Sequence, residues 1–411
     1  MSVVRTEITT GRQHGAMEYS EPPCDLDEVR MYRLKCVREQ LKKMDYAGAL
    51  LFDQLNTRYA TDATNMQVWC SHNDTRYVFV PAEGPVILWE YQSCKHLSEG
   101  LPTIDEVRPT KPFFYFATGP RYKEKASVWA DEIADLVNQY GGGNKRLAVD
   151  RCSYTGLKEL MQRGVEIFDG FELMELAREI KSDGEIALMR KAVEACELGV
   201  QSMREALRPG ITENALWAKL HETNIAEGGE WIETRILSSG ERTNPWFREC
   251  SLREIEAGDM VSFDTDLIGP YGYCADMSRS WICGDAKPTS EQSRLHAYAV
   301  EQIHHNTEIL QPGASFREVS EKAWTIPDEF LANRYGSLIH GVGLCDEYPS
   351  IKHWPDFEQK GYDGTLHPGM VLCVESYIGS EGGKEGVKLE EQVLITETGN
   401  ELLTSYSLDL A

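Results

Sequence analysis

Gly258-Asp-Met-Val-Ser-Phe-Asp264 and Pro368-Gly-Met-Val-Leu-Cys-Val-Glu375 are two versions of one phrase, each an apolar run that ends on an acid. A glycine turns the chain, β-branched and aromatic residues then favour an extended strand, and one carboxylate closes it. A second pair of related stretches comes earlier in each half. Leu207-Arg-Pro-Gly-Ile-Thr212 ends one helical pattern and supplies a threonine cap for the next, and Leu310-Gln-Pro-Gly-Ala-Ser315 does the same with serine. Self-similarity of this kind marks a duplicated unit. The expectation is two helix–helix–hairpin halves related by a pseudo-twofold, with acids converging between them.

Asp264 and Asp266 are two apart, which on a strand gives them one face. A turn at Gly269-Pro270-Tyr271-Gly272 then returns the chain to Asp276. In the second half Glu375 lies on one apolar strand, and a glycine-rich turn (Gly379, Gly382, Gly383, Gly386) leads to Glu390 on the next. Between the halves, Ser337-Leu-Ile-His340-Gly-Val-Gly343 offers a lone imidazole among small residues. Acids flanked by Val, Leu and Phe are costly to bury unless a cation neutralises them. A single Asp is most often solvent-facing, but that explains poorly six groups placed symmetrically in two repeats. Asp264, Asp266, Asp276, His340, Glu375 and Glu390 therefore read as a site for two divalent transition-metal ions. Mixed oxygen and nitrogen donors suit Fe, Mn, Co or Zn better than Ca or Mg.

Outside the repeat, residues 1–24 are polar and without period, and read as a loose arm. The stretch 27–45 places Val29, Tyr32, Cys36, Leu41 and Met44 on one helical face. Short apolar strands follow at 49–52, on either side of Glu83-Gly84, and at 147–149, with a helix near 127–140 stopped by Gly141-Gly142-Gly143. An α/β unit over 1–178 thus precedes the repeated unit over 179–411, giving an α/β (α+β) fold in two domains. Capping boxes are expected at Ser182/Glu185, Thr289/Gln292 and Ser315/Glu318.

With 66 acidic against 42 basic residues in 411, the net charge is −24. Such a surface repels phosphate backbones and anionic lipid, so neither a nucleic acid nor a membrane is an expected partner. No window is apolar enough for a membrane span. Arg5, Glu7 and Arg12, with no apolar run behind them, do not read as a signal peptide. Eleven cysteines without a CxxC read as reduced thiols in the cytoplasm.

On these residues, the chain from about 180 to 411 resembles the "pita-bread" metallopeptidase superfamily of methionine aminopeptidase, prolidase, aminopeptidase P and creatinase. Leu50-Leu51-Phe52-Asp53…Asn56-Thr-Arg-Tyr59 is similar to the start of the creatinase/prolidase N-terminal domain. Two departures separate it from the peptidases. Where they carry a second histidine soon after the metal histidine, the run here is His340-Gly-Val-Gly-Leu-Cys-Asp346-Glu347-Tyr-Pro349. Where they hold a histidine before the first ligands, the chain reads Asn244-Pro245-Trp246-Phe247-Arg248.

This combination resembles the dimethylsulfoniopropionate lyases of the DddP type. The resemblance implies a metal-dependent lyase, with iron the favoured metal, that splits a small sulfonium zwitterion into dimethyl sulfide and acrylate. Asp346 would be the base for the α-proton, its pKa raised by burial among Leu344, Cys345 and Tyr348. Tyr335 and Trp246 would offer π-faces to the sulfonium, with Trp231, Tyr271 and Tyr273 as further candidates. A homodimer is also implied, with Trp69 or Trp89 closing the neighbour's site. The alternative is a dinuclear-metal Xaa-Pro peptidase of the prolidase or aminopeptidase P type.

Overall fold

The structure, a computed structural model, describes residues 21–410. The proposed arm therefore lies outside the described residues as far as residue 20. Packing divides the chain into one unit over Asp25–Arg178 and another comprising Glu21–Cys24 with Glu179–Ala411.

The first unit is built on a sheet of β1 (Gly48–Leu51), β2 (Tyr77–Pro81), β3 (Ile87–Glu90), β4 (Glu106–Pro109), β5 (Arg146–Val149) and β6 (Glu166–Asp169), in the order β4-β3-β2-β1-β5-β6. β1 to β3 are buried along their whole length, which is why they read as unbroken apolar runs rather than as alternation. Trp89 is fully buried on β3 and stacks on Tyr77 at 4.8 Å, so it cannot close a neighbour's site; Trp69 stays 40% exposed. The helix Leu26–Lys43 differs in register from its expected face. It buries Val29, Leu34, Val37 and Leu41, whereas Tyr32, Cys36 and Met44 remain half-buried. Arg30 and Arg33 rotate the helix inward because each meets the Asp62 carboxylate at 2.8 Å on its buried side.

The second unit contains the repeat. Helices Asp183–Ala206 and Glu213–Ala226 form the pair of one half, and Ser290–Glu308 and Phe316–Lys322 the pair of the other. All three capping boxes are present, at Ser182/Glu185, Thr289/Gln292 and Ser315/Glu318. A small sheet comprises β7 (Trp231–Ile232), β10 (Leu267–Ile268) and β11 (Cys274–Ala275). The large sheet contains β8 (Leu237–Ser239), β9 (Met260–Asp264), β12 (Ser278–Ile282), β13 (Ile339–Val342), β14 (Asp346–Ile351), β15 (Val371–Ile378) and β16 (Val387–Ile395). Its order is β14-β13-β15-β16-β12-β9-β8, and β17 (Asn400–Leu402) pairs with β16.

The strand joining the halves is β12, which pairs with β9 on one side and β16 on the other. Ser278 is in register with both Asp264 and Glu390, and Glu390 is in turn opposite Glu375. One row across the sheet therefore carries acids from both repeats. Asp266 joins them differently from the i, i+2 strand argument. β9 ends at Asp264, and Asp266 turns at a φ of 37°, a left-handed kink that redirects its carboxylate.

Candidate active site

Five carboxylates and one imidazole gather where the two hairpins meet. His340, on β13, lies opposite Cys373 of β15, two residues before Glu375 on the same strand face. Its Nε2 is 3.3 Å from Glu375 Oε1, 3.6 Å from Glu390 Oε1 and 4.0 Å from Asp276 Oδ2. Its Nδ1 is 3.1 Å from the Gly341 carbonyl and 3.7 Å from Asp346 Oδ1. Asp276 Oδ1 accepts the Asp266 backbone N–H at 3.1 Å, and Thr234 Oγ1 donates to Asp266 Oδ2 at 2.6 Å. Ser278, in the middle of the row, donates to Asp264 Oδ1 at 2.6 Å and stands 2.9 Å from Glu390 Oε2.

The electrostatics show what such crowding costs. Burial, and then repulsion from Glu390, push the Asp276 carboxyl well above the usual range. Asp264 is also raised, by burial first, with Lys388 opposing and Glu390 and Asp266 adding to it. Burial and then Asp346 push Asp266 up to about 7. Glu390 runs the other way: burial opposes its charge, but Lys388 and His340 hold it well below the ordinary value. Fully buried Glu390 Oε1 has no partner within hydrogen-bond distance among the described residues. Three overlapping groups have donor atoms all within 4.8 Å of one another: Asp276, His340, Cys373 and Glu390; Asp264, Asp266 and Asp276; and Asp264, Glu375 and Glu390. Hard oxygens with one imidazole and one thiol beside them fit a divalent transition metal.

The remaining sequence candidates are distributed unevenly. Asp346 opens β14 beside His340, but the enclosure expected around it is incomplete. Leu344 is buried, Cys345 and Tyr348 only half so, and the Asp346 side chain is 51% exposed. Its pKa is still raised, first by loss of water on the side facing the cluster and then by Glu390, with His340 opposing. The next residue, Glu347, is buried and paired with the Lys181 ammonium. Tyr335 stands at the cluster, its ring centroid 4.8 Å from Lys388 Nζ. Phe247, not Trp246, lies on that ring, at 5.3 Å and 31°. Trp246 is buried against Tyr377 at 5.8 Å. Tyr273 is buried with its hydroxyl on Glu185 at 3.1 Å, and Tyr271 is buried in the turn before β11.

Lys388, Ser278, Cys373 and Thr234 were not singled out from sequence. The first three were within reach of the same argument. Lys388 is two residues before Glu390 and Cys373 two before Glu375, so period-two alternation places each on the face of its acid. Thr234 carried no such signal, because it meets Asp266 only through the fold.

Two family matches divide the chain: residues 33–180 match the creatinase/prolidase N-terminal domain, and 187–397 match metallopeptidase family M24. Dimethylsulfoniopropionate lyase DddP of Roseovarius nubinhibens is 48% identical over 393 residues, covering 94% of this chain and 88% of the relative. The protein of the same description from Roseobacter denitrificans is 45% identical, with the same coverage of both chains. Among solved structures, the prolidase from Pyrococcus horikoshii superposes with a TM-score of 0.73 at 22% identity, over 92% of this chain and 99% of that one. The likeness to prolidase is one of fold.

Proposed function

The chain belongs to metallopeptidase family M24 and, within it, to the dimethylsulfoniopropionate lyases of the DddP type, and from that premise we propose how its residues perform the reaction. It is a carbon–sulfur lyase that splits dimethylsulfoniopropionate into dimethyl sulfide and acrylate. The identity of nearly half of all residues across almost the full chain carries this conclusion.

The substrate is a carboxylate at one end and a sulfonium at the other. Asp346 takes the proton from the carbon beside the carboxylate. The C–H electron pair becomes the new C=C bond, and the C–S pair leaves with sulfur as neutral dimethyl sulfide. The proton then passes from Asp346 to solvent, which the 51% exposure of its side chain permits. Asp264, Asp266, Asp276, His340, Glu375 and Glu390 would hold two divalent ions per subunit, iron first among them, which would supply Lewis acidity toward the substrate carboxylate. His340 is kept in place by its neighbours on both nitrogens, and so holds Asp346 at the edge of the cluster. Tyr335 and Phe247 present ring surface to the sulfonium, and Trp246 packs on Tyr377. The same reading makes the protein a cytoplasmic homodimer; free thiols such as Cys196, Cys274 and Cys373 support a reducing compartment.

Asp346→Asn tests the base directly. It keeps the shape and removes the basicity, so kcat should fall by about 10²–10⁴ while metal content and KM are retained. Loss of metal together with activity would make Asp346 a residue that orients His340 instead. Turnover at the wild-type rate would remove it from the reaction.

A further inference from the structure

Lys388 stands inside the cluster, and the lyase reaction described above does not employ it. Its ammonium is completely buried in the middle of β16. It donates to Ser278 Oγ at 2.6 Å and to Glu390 Oε2 at 3.0 Å, and lies 2.7 Å from Glu375 Oε2 and 3.2 Å from Asp264 Oδ2. The Tyr335 ring covers it at 4.8 Å. An ammonium so far from water persists only with compensating charge around it, and here three carboxylates supply that charge.

The positions of the oxygens divide the site. Glu375 and Glu390 each turn Oε1 toward His340 Nε2 and Oε2 toward Lys388 Nζ. On the imidazole side, Asp276 Oδ2 completes a set of oxygens around a nitrogen that can itself ligate an ion, which an ammonium cannot. On the other side, Asp264 Oδ2 and both Oε2 atoms already face an ammonium. The five ligand carboxylates carry one negative charge more than two divalent ions neutralise, and Lys388 supplies the balance.

We propose that Lys388 is a built-in countercharge that makes the two ion positions unequal: tight on the His340–Asp276 side, and weak on the Asp264 side, where an ion must share oxygens with the ammonium. This rests on the dinuclear reading above. Lys388 acts through the carboxylates it positions, not through the substrate. Like charges a few ångströms apart at low effective dielectric repel strongly enough to separate two affinities by about tenfold or more.

The test is a Co²⁺ titration of metal-stripped full-length protein, followed by calorimetry and by the visible absorption of the bound ion, with no turnover measured. Wild type should bind two Co²⁺ ions with affinities at least about tenfold apart. In Lys388→Met the weaker ion should bind about tenfold or more tightly, narrowing the gap, while the metal-stripped variant melts below stripped wild type. Lys388→Arg keeps the charge and should preserve the gap. If Lys388→Met does not fold, Lys388→Gln, which can still donate to Glu375, takes its place. A gap unchanged in Lys388→Met, or loss of its second ion, would overturn the proposal while leaving the dinuclear reading intact. Failure of wild type to bind any Co²⁺ would overturn both.

Discussion

Asp346 and Tyr335 approach the cluster from opposite sides of His340 in sequence, and each owes its chemistry to neighbours that the sequence does not place beside it. The expected reason for a strong base at Asp346 was enclosure by Leu344, Cys345 and Tyr348. The rise does come first from loss of water on burial, although Cys345 and Tyr348 are only half-buried; Glu390 adds to it and His340 limits it. Because the base works only when ionised, activity should rise with pH through an ionisation above the ordinary carboxylate value, about 3.9, and Asp346→Asn should lack that limb. A pH profile of kcat in both proteins checks it. At Tyr335, burial and then Glu375 push the phenol above its ordinary value, so the hydroxyl stays protonated and the ring remains as the useful surface. Tyr335→Phe should therefore keep most of the wild-type KM, whereas Tyr335→Ala and Phe247→Ala should each raise it about three- to thirtyfold, the worth of one aromatic face to a cation. A large loss in Tyr335→Phe would assign the role to the hydroxyl. The aromatic pair Trp246-Phe247 was visible in sequence, but choosing between its members was not. That choice depends on Phe247 turning at a φ of 71° onto Tyr335.

The loop before β13 is fixed to the helix Trp354–Lys360 by the Arg334 guanidinium, which meets both Asp356 oxygens at 2.7 Å one residue before Tyr335. Arg334 holds the Asp356 carboxyl down to about 2. A carboxyl depressed on folding contributes stability above its unfolded value near 4, and that contribution is lost as pH falls toward about 2. Asp356→Asn should cost on the order of 2 kcal/mol at neutral pH, and the difference from wild type should vanish as the pH is lowered through this window. Denaturant melts at pH 7 and pH 3 measure it; a difference independent of pH would dissociate it from the ion pair. Elements were legible where their signals are local. A capping box spans four residues, and all three expected boxes formed. The helix Leu26–Lys43 was placed well but its buried face was not, because that face is set by Asp62, a partner distant in sequence. The same limit applies to Asp266, whose left-handed turn no strand periodicity contains.

For the whole chain, a net charge of −24 means that folding concentrates negative charge, and the carboxylate cluster concentrates it further. Ions that bind the native cluster and not the unfolded chain stabilise by mass action. Chelation should therefore lower Tm, and restoring Mn²⁺ or Fe²⁺ should raise it again by an amount that grows with ion concentration. A Tm indifferent to chelator would remove the ions from the fold. No described helix is long and apolar enough to cross a membrane. The duplicated phrases disclose the two halves by themselves, since a repeat is a property of the sequence alone. The reaction was less legible, because prolidases share the fold and the departures from them lie in two short runs, the one after His340 and Asn244-Pro245-Trp246-Phe247-Arg248. The most direct test supplies the metal-loaded protein with dimethylsulfoniopropionate and, separately, with Xaa-Pro dipeptides, measuring headspace dimethyl sulfide, acrylate and free proline. The account predicts dimethyl sulfide and acrylate in equal amounts, abolished by chelator, with no proline released; proline release without dimethyl sulfide would contradict it.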